Sequence, residues 1–410
     1  MPPRIAVLHH PRSFFPLDLF EQVGDSATLV WVVGAPGCDD AGDGRLLRRL
    51  GTVVDITGLD LDQAACVLAE SDPEGIVAFV DDCIETAAGL AARLGLRYHT
   101  PEVARVLVDK RLQRAALHRA GVPGPGFWAV TAGQSPSEVD RLVERVTFPL
   151  VLKPAEGSGS RGIRRASSPD ELRALLGSDG TGIDCILEEY LPDDPDHDPR
   201  FASYLSVESV VSAGHISHAA LTGRFPLADP FRETGNFIPA VVDDAHHRSV
   251  LAMAEGAIAA LGIVDSIVHT EIKLTPDGPR LIEVNGRLGG RPPFVLRSAS
   301  SANLFEVACQ IAAGTPVEFA QLVVCAGVGF WLMFQPPMAA RQVVAIDGLD
   351  EVSSLSEVDS AVVKRAPGAE VDWEEGTDST VVTVRGRVAD HDALAETIEL
   401  IRRTVKIHYR

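Results

Sequence analysis

The chain has no C-x-x-C motif, no clustered histidines, no long apolar run, no internal repeat and no excess of positive charge. Each absence removes a class of function. The six cysteines, at 38, 66, 83, 185, 309 and 325, are scattered. Without paired spacing they read as reduced, buried thiols, which excludes a disulfide framework and points to a cytoplasmic protein. The N-terminal stretch MPPRIAVLHHPRSF holds too short an apolar run for a signal-peptide core. Nothing approaches the roughly 18 apolar residues that span a bilayer, so no membrane partner is expected. A formal net charge of −20 speaks against nonspecific binding of nucleic acid or anionic lipid. It leaves room for a nucleotide in a local basic pocket.

What is present suits a well-cored globular chain, with 46% hydrophobic and 23% charged residues over 410 positions. At roughly 100–200 residues per domain, that length predicts two to four domains. RIAVLHH, ATLVWVVG and GIVAFVDD read as buried strands alternating with helical stretches, the pattern of a parallel sheet. Asp82-Cys83-Ile84-Glu85 has the form of a capping box opening the helix CIETAAGLAARLGL. HHPRSF stands where a dinucleotide fingerprint would follow the first strand, so this region is not read as a nucleotide site. Thr100-Pro101 predicts a helix start, and Gly121 stops the helix that begins KRLQRAAL. FPLVLKPA, GIRRAS and IDCILEEYL read as strands, with a second capping box from Ser168 to Glu171 opening ELRALLG. YLSVESVVSAGHISHAALTG predicts a hairpin turning near Gly214, FPLADPFRETGNFIPA a loop, and HHRSVLAMAEGAIAALGI a helix.

In LKPAEGSGSRGIRR, glycines at 157, 159 and 162 satisfy G-x-G-x-x-G. A Rossmann fingerprint must open a helix, but the following IRRAS is short and β-like. A P-loop needs Lys and then Ser or Thr after its second glycine, where Ile163 and Arg164 stand. Both readings fail. What remains is a glycine loop between two strands, a flap whose N–H groups fold over phosphates with Lys153 adding charge. Taken alone, a Gly/Ser-rich surface hairpin explains the stretch equally well.

A second constellation weighs against that plain hairpin. On VHTEIKLT, alternation puts His269, Glu271 and Lys273 on one face; on LIEVNGR it does the same for Glu283, Asn285 and Arg287. A hairpin symmetric about Asp277 sets Glu271 against Glu283. Two close carboxylates do not both ionise without cost, and a divalent cation resolves the conflict. Oxygen donors without His or Cys suit Mg2+, with a phosphate completing the shell. A lysine-bearing flap followed by this site predicts ATP and phosphoryl transfer.

The order of these motifs resembles the ATP-grasp superfamily over nearly the whole chain. The resemblance implies an α/β and α+β fold: an N-terminal parallel-sheet α/β domain (1–100), a helical linker (101–127), a flap subdomain (128–190) and a mixed-sheet C-terminal domain with a terminal β/α extension (191–410). It implies ATP with Mg2+, or Mn2+ in its place. VDKRLQRAALHRAGVPGPGF would carry the first ATP lysine, Lys110. FPLVLKPAEGSGSRGIRR would supply Lys153 for the α- and β-phosphates and a flap of Gly157, Ser158, Gly159, Ser160 and Gly162. CILEEYL resembles the hinge that reads adenine through backbone groups, at Glu188, Glu189, Tyr190 and Leu191, with Glu208 near the nucleotide. HTEIKLTPDGPRLIEVNGRLGGRP implies Glu271, Glu283 and Asn285 as metal ligands, with Arg287 and Arg291 holding the carboxyl group and the transferring phosphoryl. Glu233 and His269 are the other catalytic candidates implied. With FRETGNFIPA ahead of it, this stretch is most similar to the branch that joins L-amino acids into dipeptides and related amides.

The expected function is therefore an ADP-forming carboxylate–amine ligase working through an acyl phosphate on amino acids or other small carboxylates and amines. Nucleic acid and membrane are not expected partners, and a homodimer stays open. A carboxylate–thiol ligase loading a carrier protein would share the first half-reaction, but a net charge of −20 repels acidic carriers at long range. A nucleotide-binding regulator without chemistry is the third reading, disfavoured because every expected polar residue stands in place.

Overall fold

The computed structural model describes residues 1–36, 44–176 and 182–410; Cys38 and Gly177 lie outside them. Strands β1 (Arg4–Leu8), β2 (Thr28–Val33), β3 (Thr52–Asp55) and β4 (Gly75–Ala78) form a parallel sheet in the order β3-β2-β1-β4. Its central strands are apolar and buried, as a helix-covered parallel sheet requires. The expected capping box at Asp82 does not form. A 3-10 turn over Asp81–Cys83 precedes the helix Ile84–Leu94, which has no side-chain cap. Arginines hold both aspartates instead: Arg12 binds Asp82 at 2.5 Å, and Arg287 forks Asp81 at 2.9 and 2.5 Å. An arginine adds a full opposite charge that a backbone N–H lacks, and bidentate Arg–carboxylate pairing adds geometry as well, so the tertiary partners win.

Thr100 does cap its helix, accepting from the Val103 N–H at 3.3 Å with Pro101 in the first turn. The next helix, Lys110–Arg119, ends just before Gly121, whose φ of 74° only glycine adopts freely. Strands β5 (Phe127–Val130), β6 (Leu150–Pro154), β7 (Arg164–Ala166) and β8 (Cys185–Glu189) make an antiparallel sheet in the order β5-β8-β6-β7. The glycine run joins β6 to β7. At the second expected capping box, Ser168 Oγ accepts from the Glu171 N–H at 3.2 Å, but the Glu171 carboxylate takes the Ser167 N–H rather than that of Ser168.

The remaining strands are β9 (Tyr204–Ser212), β10 (His215–Arg224), β11 (Gly235–Ile238), β12 (Ser266–Thr275), β13 (Gly278–Asn285), β14 (Val328–Phe334), β15 (Val343–Asp347), β16 (Val358–Val363), β17 (Val382–Val388) and β18 (Lys406–Tyr409). Eight of them form one sheet, β13-β12-β9-β10-β11-β14-β17-β16, and β15 pairs with β18. A mixed sheet was the expectation here, but every pairing in the large sheet is antiparallel. Tight turns at Ala213-Gly214 and Pro276-Asp277 make β9–β10 and β12–β13 direct antiparallel hairpins. β11 also corrects the reading of FPLADPFRETGNFIPA as a loop throughout. Its four residues are buried, and a Cβ on Gly235 would lie 2.1 Å from the Trp331 carbonyl oxygen, so the strand needs the glycine that disguised it.

The helix Asp244–Ala260 packs Val250, Ala254 and Ile258 against β9, β12 and β13. Cys66 is exposed, against the expectation of buried thiols; Cys83, Cys185 and Cys309 are buried and Cys325 is half-buried. Among the described residues there is no disulfide, and no helix is long and apolar enough to cross a membrane.

Candidate functional site

A cavity of about 1330 Å³ opens where the parallel sheet, the glycine loop and the large sheet meet. Every site residue expected from the sequence lines it except Gly162 and Glu208. Gly162 turns toward Pro154, where a Cβ would come within 2.9 Å of the ring. Glu208 is fully buried behind His269 and accepts from Ser206 (2.8 Å) and Thr222 (2.9 Å).

β12 and β13 pair with Glu271 opposite Glu283 and His269 opposite Asn285. The register depends on a bulge: Ile272 faces Leu281, so Ile282 is the extra residue. The bulge lets Leu281 and Val284 both enter the core while Glu283 faces the cavity. The opposed carboxylates do not sit bare. Lys110 Nζ lies 3.1 Å from Glu283, and His269 Nε2 lies 3.3 Å from Glu271. His269 Nδ1 is 2.9 Å from Glu208, so the imidazole bridges two carboxylates. Burial alone would discharge it, but Glu208 and then Glu271 outweigh that and raise it to about 9. Glu271, in turn, is held down near 2: His269 and Arg224 overcome the cost of burying its charge.

Lys153, at the end of β6, lies 2.6 Å from Glu188 Oε2, and Arg114 Nε donates to Glu188 Oε1 at 2.8 Å. The Glu188 side chain is therefore a structural counter-ion rather than a surface that reads a base. Burial opposes its ionisation, yet Arg114 and Lys153 hold it at about 2. Its backbone is committed to β5 and β6 on either side. The Glu189 N–H goes to Gly126 (2.9 Å) and the Tyr190 N–H to Pro149 (3.2 Å). Among the described residues the Leu191 N–H takes no such partner, which leaves it open at the cavity wall.

Gly157, Gly159, Ser160 and Gly162 all adopt positive φ, so the loop curls tightly between β6 and β7. It is tied down at several points. Lys110 Nζ donates to the Gly157 carbonyl at 2.5 Å, Ser160 Oγ to the Phe231 carbonyl at 2.9 Å, and the Thr377 N–H to the Gly159 carbonyl at 2.8 Å. Arg164 stacks 4.5 Å over the Trp373 ring and binds Glu374 at 2.9 Å.

Arg287 spends its fork on Asp81 and reaches Asn285 Oδ1 at 3.2 Å. Among the described residues the Arg291 guanidinium meets only Glu233, at 3.5 Å, and Glu233 is shared with Arg224 at 3.2 Å. Arg291 is thus the less committed of the two arginines. Asp81, Arg114 and Arg224 escape sequence reading because each pairs with a residue far away in the chain or stands where a helix or strand simply looks polar. No cluster of three or more His, Cys, Asp or Glu side chains is preformed for a metal among the described residues.

No family model matches the chain. It is 29% identical to human (Homo sapiens) carnosine synthase 1 over 271 residues, 61% of this chain and 30% of that protein. It is 27% identical to the alanine–anticapsin ligase of Bacillus subtilis over 224 residues, 50% of this chain and 47% of that one. The chain matches between 28% and 54% of the length of the first curated relatives. Among solved structures, the L-amino acid ligase from Bacillus licheniformis superposes with a TM-score of 0.78 at 18% identity, covering 100% of this chain and 99% of that one. The chain has the ATP-grasp fold, which it shares with that ligase over its whole length.

Proposed function

We propose that the protein is an ATP- and Mg2+-dependent carboxylate–amine ligase that makes an amide bond between small amino acid-like substrates and releases ADP and phosphate. The observation that carries this reading is the placement of Glu271, Glu283 and Asn285 beneath a glycine loop and two lysines, in one cavity. Relatives whose names denote amide synthesis support it.

The donor set fits Mg2+. Two carboxylates and an amide oxygen are hard ligands, too few for an all-protein cage but suited to an ion that keeps waters and phosphate oxygens. Mn2+ takes the same donors. When bound, the ion supplies charge neutralisation for phosphoryl transfer. Lys110 and His269, which balance the carboxylates in this structure, would yield part of that role. Lys153 and Lys110 bind phosphate, the N–H groups of the flap close over it, and Leu191 offers its N–H to the adenine edge. Arg291 orients the donor carboxylate, whose oxygen attacks the γ-phosphorus as ADP leaves. The resulting acyl phosphate has the leaving group that a free carboxylate lacks, and the amine displaces phosphate from it. Arg287, fixed by Asp81, keeps Asn285 in position.

The test measures phosphate release with ATP and Mg2+ against pairwise mixtures of L-amino acids, with chromatography of the spent nucleotide. ADP and a hydroxamate trapped by hydroxylamine are expected. AMP as the main product overturns the reading.

A further inference from the structure

We propose that Asp378 binds the ammonium group of the acceptor substrate and takes its proton; this rests on the ligase reading above. Asp378 belongs to the 3-10 segment Trp373–Ser379, outside the motifs legible in the sequence. The segment is anchored through Gln335, whose Nε2 donates to Thr380 Oγ1 at 2.8 Å and whose Oε1 accepts from Ser379 Oγ at 3.1 Å. Thr377 and Gly376 press against Gly159 of the flap, and Asp378 Oδ2 lies 4.0 Å from the point where a Cβ on Gly159 would sit. The carboxylate therefore faces the cavity beside the flap that covers the phosphates.

It is also unspent. Asp81, Glu188, Glu233, Glu271 and Glu283 each hold a cationic side chain. Among the described residues the Asp378 carboxylate has no hydrogen-bond or ion-pair partner; only its backbone carbonyl is engaged, by Arg365 at 3.4 Å. The charged groups that act on it are Arg291 beyond β13, Arg12 from the parallel sheet, Arg365 and Asp82. Desolvation by the surrounding cavity wall lifts its carboxyl above the usual carboxylate range against the pull of the arginines, although the residue itself is exposed. A cavity-facing carboxylate whose basicity is raised in this way suits an incoming ammonium ion.

The step balances. The ammonium passes one proton to Asp378, the free amine attacks the acyl carbon, the carbon–oxygen bond to phosphate breaks, and the second nitrogen-bound proton leaves with the phosphate. An uncharged nucleophile needs no such base. Hydroxylamine is neutral at neutral pH, so it separates acyl phosphate formation from amine deprotonation.

The experiment compares wild type, Asp378→Asn and Asp378→Glu with ATP, Mg2+ and an equimolar mixture of the proteinogenic L-amino acids, with and without hydroxylamine. Amide formation by Asp378→Asn is expected to fall roughly 10²–10⁴-fold, the range for a lost general base, while hydroxamate yield stays at the wild-type level. Asp378→Glu should recover part of the loss. The acidic limb of the wild-type pH–rate profile should vanish in Asp378→Asn. Loss of hydroxamate in wild type itself sinks the ligase reading. Wild-type hydroxamate with equal loss of both products in both variants, or with no loss in either, overturns the role of Asp378 alone.

Discussion

Glu188 holds Lys153 at 2.6 Å and Arg114 at 2.8 Å, so the cavity-lining lysine is positioned by a carboxylate from the neighbouring strand. Replacing that carboxylate has a pH-dependent signature. Its folded-state value near 2 lies below its ordinary 4.5. The pairing therefore stabilises the protein fully above 4.5, and the benefit is lost as pH falls from there toward 2. Glu188→Gln should cost about 3 kcal/mol at neutral pH. Denaturant melts of both proteins should converge as pH drops through that window. A constant gap across it would contradict the ion-pair account.

Lys153→Met should weaken nucleotide binding by roughly 1.5–3 kcal/mol, the value of a charge-assisted phosphate contact. A flap-edge lysine looks lightly packed in the sequence, but here it is 12% exposed and shares a buried carboxylate. The variant should therefore also melt lower than wild type without ligand. Calorimetry with an ATP analogue, set beside the apo melt, reads both effects. Unchanged nucleotide affinity would remove Lys153 from the phosphate site.

Glu283→Gln should abolish turnover and the extra thermal protection that Mg2+ adds to a bound nucleotide. Relief of repulsion against Glu271 should not stabilise the apo protein, because Lys110 already compensates Glu283 at 3.1 Å. The apo melt should drop by about 1 kcal/mol or less, the scale of a partly exposed ion pair. Melts with and without Mg2+ and nucleotide test it, and retained Mg2+ protection would place the ion elsewhere.

Gly376→Ala should loosen the flap. The added Cβ would lie 2.2 Å from the Gly159 carbonyl oxygen, at a φ of 66° that alanine adopts only under strain. Strain of about 1–3 kcal/mol, expressed as flap opening, should speed tryptic cleavage after Arg161 by roughly tenfold or more. Addition of Mg2+ and a nucleotide analogue should restore protection. Cleavage at the wild-type rate would show that the Trp373–Ser379 segment does not hold the loop.

What could be read from the sequence was local or periodic. Thr100 with Pro101, the parallel-sheet alternation and the strand-flanked glycine loop follow from spacing within a few dozen residues. A hairpin symmetric about Asp277 sets Glu271 against Glu283; the turn is instead Pro276–Asp277, and the bulge at Ile282 is what restores that opposition. Asp81 went unread beside Asp82, which fits a cap, because nothing nearby reveals Arg287 206 residues away. Arg114 sits among ordinary helix formers, and its burial against Glu188 is a tertiary fact. Asp378 lies in a turn-rich stretch without periodicity, and only the fold brings it to the flap. Residues whose partners are distant carry no local mark of their role.

The extra residue at Ile282 gives the catalytic hairpin two separate frames of side-chain parity. Strict alternation from Leu281 would carry Glu283 into the core and turn Val284 toward the cavity. The bulge resets that alternation, so Glu283 faces the cavity only two residues after a core leucine. Loss of Ile282 would exchange inside for outside from Glu283 onward, turning that carboxylate toward the core and Val284 toward the cavity.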